Sequence, residues 1–280
     1  YVRISYTGIR GSDLRINPRI TYKFMNMNNT LGVDIGGSKI KMVLWNGQKV
    51  LKEWKSETAS VENLKKGLEF FNRAQGSVGF KVGVGLPGIL DFKNNKALFC
   101  KNLSKFNNVN LKACFPMEVR VDNDAKCFLR AEISAIAGKK PEYVLGVIFG
   151  TGIGGAFANE KFKMKNEKFE DEVIYRGRDG WAGEFGHMII DKGKTWEKFY
   201  QETKNKPKEQ EEINAIGIAN LINIFNPEVI IFGGKGAKKP NKQLIEKYLL
   251  VSKKQMPKFI ESKLGENAVA IGAAMLYKIF

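Results

Sequence analysis

Two stretches of this chain are near-copies of one pattern. LGVDIGGSKIKMV (31–43) and VIFGTGIGGAFA (147–158) each run an apolar strand into a glycine turn and out along a second strand. Glycine weakens regular structure, so four glycines in GTGIGGAF (150–157) need a reason. Either the turn alone demands them, or the backbone is cleared of side chains so that a ligand can touch it. The pattern occurs twice, among alternating strands and helices, and that predicts a duplicated α/β fold with a cleft between the copies.

The rest of the chain fills in that plan. Asn46-Gly47 between apolar-alternating runs predicts a hairpin, making three antiparallel strands with the run before Gly36-Gly37. Leu64, Leu68 and Phe71 have helical spacing over 61–75. FKVGVGL (80–86), KALFC (96–100), MEVRVD (117–122), YVLGVIF (143–149) and EVIIF (228–232) are strand-like. DNDAKCFLRAEISAIAG predicts a helix over 122–138 with an Asn/Asp start and a Gly stop, and EEINAIGIANLINIFN one over 211–226. Helices are expected around 241–262 and 267–280, and a solvated hairpin tip over the charged residues 159–172. The boundary between the copies is expected near 122, with the last helix returning to the first.

The chain has 280 residues, 43% hydrophobic and 27% charged, which is a globular composition. No apolar run is long enough to span a membrane. The net charge of +17 invites a nucleic-acid partner, but it comes largely from dispersed lysines, as in EKFKMKNEKFED, and so points to a solvated surface or a phosphate-binding cleft. Cys100, Cys114 and Cys127 form no CxxC pair, which predicts buried thiols in a reducing cytoplasm. The first residues lack the apolar core of a signal peptide, and the first methionines are Met25 and Met27. Residues 1–26 are therefore expected to be a non-native or disordered leader.

Several polar residues fall where chemistry can be done. Two glycine turns at one cleft present backbone N–H groups that an anion can approach. GTGIGG lacks the crossover helix and ribose-binding acid of a dinucleotide site. Asp34, at a strand end beside the first turn, can hold Mg²⁺ through water, or simply cap the turn. Asp124 stands at a strand-to-helix junction, where a carboxylate can take the proton of an attacking hydroxyl. It can equally cap the helix, although a single cap does not account for both Asn123 and Asp124. GEFGH (183–187) holds the single histidine, three residues from Glu184, and a carboxylate with an imidazole can read adjacent sugar hydroxyls.

In this order, DIGGSK, GLPGILD, NDA, GTGIGG, AGEFGH, NPEVIIFGG and LGENAVAIGAA resemble the ROK (repressor, open reading frame, kinase) family over residues 31–280. The resemblance implies a duplicated actin/hexokinase-like (ribonuclease H-like) ATPase fold of two domains, 27–122 plus 266–280 and 123–265. It implies a cytoplasmic, glucokinase-like enzyme that phosphorylates a hexose from ATP with Mg²⁺, with a homodimer left open. Asp34, Gly36, Gly37, Ser38 and Lys39 would form the first phosphate loop, with Asp34 on the Mg²⁺ through water. Gly150, Thr151, Gly152, Gly154 and Gly155 would form the second, and Gly233 and Gly234 would lie against the adenosine. Asp124 would be the base, while Asn123, Glu184 and His187 would hold sugar hydroxyls.

The chain departs from the family after His187. Most members carry a CxCGxxGCxE segment there, whose cysteines bind zinc with that histidine. This chain has no cysteine beyond Cys127, so no zinc site is expected. TWEKFY resembles the end of the missing segment, which makes Glu197 a candidate third sugar-contacting carboxylate or an ordinary helix residue. Packing by Trp181 and Trp196 is expected to hold the region instead. Polyphosphate as donor and a catalytically inactive sugar-binding protein stay open as alternatives. A DNA-binding repressor is not expected, since the residues before DIGGSK show no helical periodicity.

Overall fold

A computed structural model describes residues 29–57, 59–75, 80–159, 173–237, 240–250 and 256–277. The expected leader 1–26 and all but Asn159 of the expected charged tip lie outside the described residues.

The first half is a five-stranded sheet. β1 (Thr30–Ile35), β2 (Ile40–Trp45) and β3 (Val50–Ser56) form the predicted antiparallel meander, α1 (Val61–Gln75) follows, and β4 (Lys81–Leu86) lies parallel to β1. A small hairpin, β5 (Ile89–Asp91) with β6 (Lys96–Phe99), precedes β7 (Val119–Asn123), which completes the order β3-β2-β1-β4-β7. The chain then passes through α2 (Asp124–Ser134) into the second half, beginning with β8 (Tyr143–Phe149) and β9 (Ile153–Asn159), an antiparallel pair.

Residues 173–175 run back along β9, with Asn159 N–H bonded to Val173 O and Tyr175 N–H to Phe157 O. A two-stranded hairpin, β10 (Ile189–Asp191) with β11 (Lys194–Thr195), leads into α3 (Trp196–Glu202) and α4 (Pro207–Phe225). β12 (Val229–Gly233), α5 (Lys242–Glu246), β13 (Lys258–Glu261) and α6 (Ala268–Ala274) close the fold. The second sheet runs β13-β12-β8-β9, with β8, β12 and β13 parallel. That repeats the β7-β4-β1-β2 arrangement of the first sheet, so the near-copies in sequence are the same hairpin of two similar halves.

The helix that ends each half crosses to the other sheet. α2 lies on the second sheet, with Phe128 and Leu129 against Gly233 and Gly146. α6, AVAIGAA, lies on the first. A Cβ on Gly32 of β1 would sit 1.8 Å from Ala270 O, and one on Gly83 of β4 would sit 1.8 Å from Ala273 O. Glycines on the strands and small residues on the helix let the two backbones touch.

Some expectations need correcting. The single helix around 241–262 is the short α5 and the strand β13. Pro257 removes a donor and clashes with a preceding turn, and Phe259 instead pairs with Ile230 along the edge of β12. α2 ends at Ser134, short of Gly138, because the Lys140 ammonium collects the carbonyls of Ile133, Ser134 and Ile136. α4 starts four residues early, with Pro207 in its first turn, where its missing N–H costs nothing. The last helix gives way to a 3-10 turn at Met275–Tyr277. Cys100 and Cys127 are buried, but Cys114 is half-exposed.

Candidate active site

The glycine turns of the two halves face each other. Gly36 N–H bonds to Lys39 O at 2.9 Å, and Gly150 N–H to Gly152 O at 2.9 Å, closing one turn in each hairpin. A Cβ on Gly37 would lie 3.5 Å from Thr151 Oγ1 and 3.7 Å from Asn102 Cβ, so the two turns nearly meet beside Asn102. A cavity of about 270 Å³ opens here, lined by Gly37, Ser38, Glu57, Asn102, Ser104 and Lys105.

The glycines of the second turn answer to different demands. A Cβ on Gly155 would lie 2.0 Å from Phe185, and one on Gly152 would lie 1.9 Å from Glu197 Oε2. Internal packing therefore requires both, which corrects the view of this turn as backbone cleared for a ligand throughout. Gly154 faces Ala125 at 3.3 Å, and Gly150 faces open space. Gly233 is buried against Phe128, and Gly234, at φ 87°, comes against Phe149 O beside Gly150.

Three carboxylates are linked by charge, Asp34 to Asp124 and Asp124 to Glu184. Asp34 is buried at the end of β1, opposite Lys41 in the register with β2. Burial and then the Asp124 charge push its carboxyl up to about 7, against Lys39 and Lys41. Asp124 is the first residue of α2. The cap is Asn123, whose Oδ1 accepts the N–H groups of Ala125 and Lys126 at 3.0 and 3.3 Å. Asp124 Oδ1 accepts the Ala125 N–H at 2.8 Å. Burial raises this carboxyl to about 6, with Glu184 adding to the rise and the Ala125 N–H opposing it. Glu184 is raised as well, by burial, against Lys126 and His187. These residues surround a site where an anionic charge is poorly solvated, a setting typical of functional carboxylates.

Glu184 and His187 bracket a single 3-10 turn, in which the His187 N–H donates to Glu184 O at 3.0 Å; the His187 side chain is exposed. Glu197 is buried on α3. Its Oε2 accepts the Ile153 N–H at 3.1 Å and its Oε1 accepts Lys101 Nζ at 3.0 Å, so it braces the second glycine turn. Trp196 lies fully buried, edge-on to Phe149, with Nε1 donating to Asn214 Oδ1 at 3.0 Å. Trp181 does not share that packing: it is 45% exposed, and its Nε1 reaches Leu90 O at 3.3 Å. Among the described residues no three His, Cys, Asp or Glu side chains gather to hold a metal, and no helix is long and apolar enough to cross a membrane.

Sequence reasoning missed the cations. Lys126 is fully buried, and burial lowers its ammonium against the opposing charges of Asp122, Glu184 and Asp124. Lys101 reaches across the cleft to Glu197. Arg130 and Arg176 are buried on Asp122. All four lie close in sequence to quoted motifs, yet in a lysine-rich chain nothing local marks them out.

The ROK family pattern matches residues 30–205 and 194–279. The chain belongs to the ROK family. An N-acetyl-D-glucosamine kinase of Pectobacterium carotovorum is 33% identical over 170 residues, covering 57% of this chain and 52% of that protein. The ROK chain thus spans about half the length of that relative. An N-acetyl-D-glucosamine kinase of Haemophilus influenzae is 27% identical over 72% of the chain and 83% of its own length. The crystal structure of a ROK family glucokinase from Streptomyces griseus, in complex with glucose and AMPPNP, superposes with a TM-score of 0.73 at 22% identity, covering 89% of this chain and 98% of that one. The ROK chain therefore has the two-domain, actin-like ATPase fold that the motifs implied.

Proposed function

We propose that this chain is a sugar kinase, transferring the γ-phosphoryl group of ATP to a hydroxyl of a hexose or N-acetylhexosamine. The observation that carries this reading is the line of buried or half-buried carboxylates, Asp34, Asp124 and Glu184, set against two facing glycine turns. Family membership and the kinases among its relatives support it.

The residues present suit the nucleotide and its metal. Asp34 is a buried carboxylate whose anion is disfavoured as it stands, a state that an arriving cation would relieve. Asp34 would hold Mg²⁺ through water, Ser38 and Lys39 would receive phosphate oxygens, and the exposed Thr151 would offer a backbone N–H from the facing turn, beside the uncovered backbone of Gly150. Gly233 and Gly234, at the end of β12, would lie against the adenosine. When bound, Mg²⁺ would offset the negative charge of the phosphates.

On the sugar side, Asn123, Glu184, His187 and Glu197 hold hydroxyls, and Asp124 accepts the proton of the reacting one. The hydroxyl oxygen bonds to the γ-phosphorus as the bond to the β–γ bridging oxygen breaks, and ADP leaves. Asp124 must be ionised to act as base, so kcat/KM is expected to fall on the acid side with an apparent pKa near 6. A pH profile that stays flat from pH 5 to 8 would rule this out.

A second reading, polyphosphate as donor, draws on one observation. Lys39, Lys55, Lys41 and Lys235 together lower the carboxyl of Glu266 at the mouth of the first turn, a basic setting suited to a long polyanion. A coupled assay over glucose, mannose, fructose and N-acetylhexosamines, run with ATP·Mg²⁺ and with polyphosphate, tests both readings. Turnover of at least one sugar with ATP is expected. Absence of turnover with every sugar and either donor would refute the kinase.

A further inference from the structure

YRGRDGWAGEFGH (175–187) ends in Glu184 and His187, and it begins in an ion cluster that the reaction above does not use. Asp122, fully buried at the end of β7, directly precedes Asn123 and Asp124. Arg176 grips it with both arms of its guanidinium, Nη1 to Oδ1 at 2.9 Å and Nη2 to Oδ2 at 2.8 Å. Arg130 Nη2 donates to the same Oδ2 at 2.8 Å, and the Asn123 N–H donates to Oδ1 at 2.8 Å. Burial pushes this carboxyl up, but the Arg176 and Arg130 charges outweigh it and hold it well below the usual carboxylate range.

The main chain at Arg176 is fixed too. Its carbonyl accepts the Ala182 N–H at 3.1 Å, closing RGRDGWA into a loop. Its guanidinium lies over the Phe92 ring at 5.0 Å, and Gly180 packs so tightly on that ring that a Cβ would lie 2.0 Å away. At the other end, Gly183, at φ 105°, comes against Gly155 O of β9. The loop is thereby seated on the β5–β6 connection of the first half and on the hairpin of the second.

We propose that Arg176 is a positioning residue of the sugar site. It ties the strand end that presents Asn123 and Asp124 to the loop that presents Glu184 and His187, so that Asp122 sets the spacing between the two sides of the pocket. The inference rests on the kinase reading and deepens it. A bidentate guanidinium–carboxylate pair is suited to the task, because it fixes orientation as well as distance, and partners behind the contacting residues control their geometry.

The cluster supplies its own control. Two arginines share one aspartate, so removing either leaves a buried one-to-one pair and avoids stranding the carboxylate. Only Arg176 belongs to the loop. In the full chain, Arg176→Met and Arg130→Met are compared by hydrogen–deuterium exchange of peptides within 177–188, by urea denaturation and by sugar kinetics. Arg176→Met is expected to speed exchange in that loop and lower kcat/KM by about 100-fold, the scale of a small misplacement of reacting groups. Arg130→Met is expected to cost similar stability while leaving loop exchange and kcat/KM near those of the unaltered protein.

Arg176→Lys keeps the charge without the fork. Compared with Arg130→Lys, it gives the same contrast should a methionine variant not fold. Equal loop exchange in the matched variants would overturn the proposal whatever the activity, and so would equal losses of kcat/KM. If the unaltered protein phosphorylates no sugar while the exchange contrast appears, the kinase reading falls and the tie between strand and loop stands.

Discussion

Asp124→Asn is expected to lower sugar phosphorylation by about 10²–10⁴-fold while leaving sugar binding and the fold in place. The amide oxygen of asparagine can still accept the Ala125 N–H that Asp124 Oδ1 accepts at 2.8 Å, and the start of α2 stays capped by Asn123. What is lost is a group able to take a proton. Titration calorimetry of sugar binding and a coupled assay separate the two effects. Full turnover with sugar bound would remove Asp124 as the base.

Stability gives the same substitution a second signature. The folded carboxyl titrates near 6, above its ordinary value of 3.8, so the folded chain holds its proton more tightly than the unfolded one. That contribution is fully present below about pH 4 and is lost as pH rises through 6. An amide has no such loss. Asp124→Asn is therefore expected to be more stable than the original chain at pH 7 and indistinguishable from it at pH 4.

Gly32→Ala is expected to damage the fold severely, costing about 3 kcal/mol or more. The added Cβ would meet Ala270 O at 1.8 Å and Ala274 Cβ at 3.0 Å. The first obstacle is helix backbone, which has no rotamer to change. α6 would have to lift from β1, and its contacts at Gly83 and between Gly272 and Cys127 O would lift with it. Urea denaturation reads the loss. Gly150→Ala is the control: nothing lies within 4 Å of its Cβ, so its midpoint should stay close to the original. Equal midpoints for the two variants would mean that α6 is not held against β1 as described.

Much of the architecture was legible because its signals are local. The hairpins β1–β2 and β8–β9 announce themselves by alternation broken at glycine, and Leu64, Leu68 and Phe71 mark α1 by spacing alone. β13 was not legible. Four residues after Pro257 become a strand because β12 offers an open edge, and nothing in KFIE states that. Likewise, Gly152 and Gly155 are visible in the sequence as glycines, but their neighbours Glu197 and Phe185 arrive from more than 25 positions away.

The candidate site divides along the same line. By itself the sequence determined the family, the duplicated plan and the order of the chemistry-bearing segments, since motifs and periodicity are written in consecutive residues. Tertiary structure decided which charges matter. Asp34 and Asp124 are ninety residues apart, yet the Asp124 charge disfavours the ionisation of the buried Asp34 because the fold brings them together. Arg176, one basic residue among 46, becomes a fixed strut through the buried Asp122. Burial and distance set the strength of a charge, and both are properties of the assembled fold.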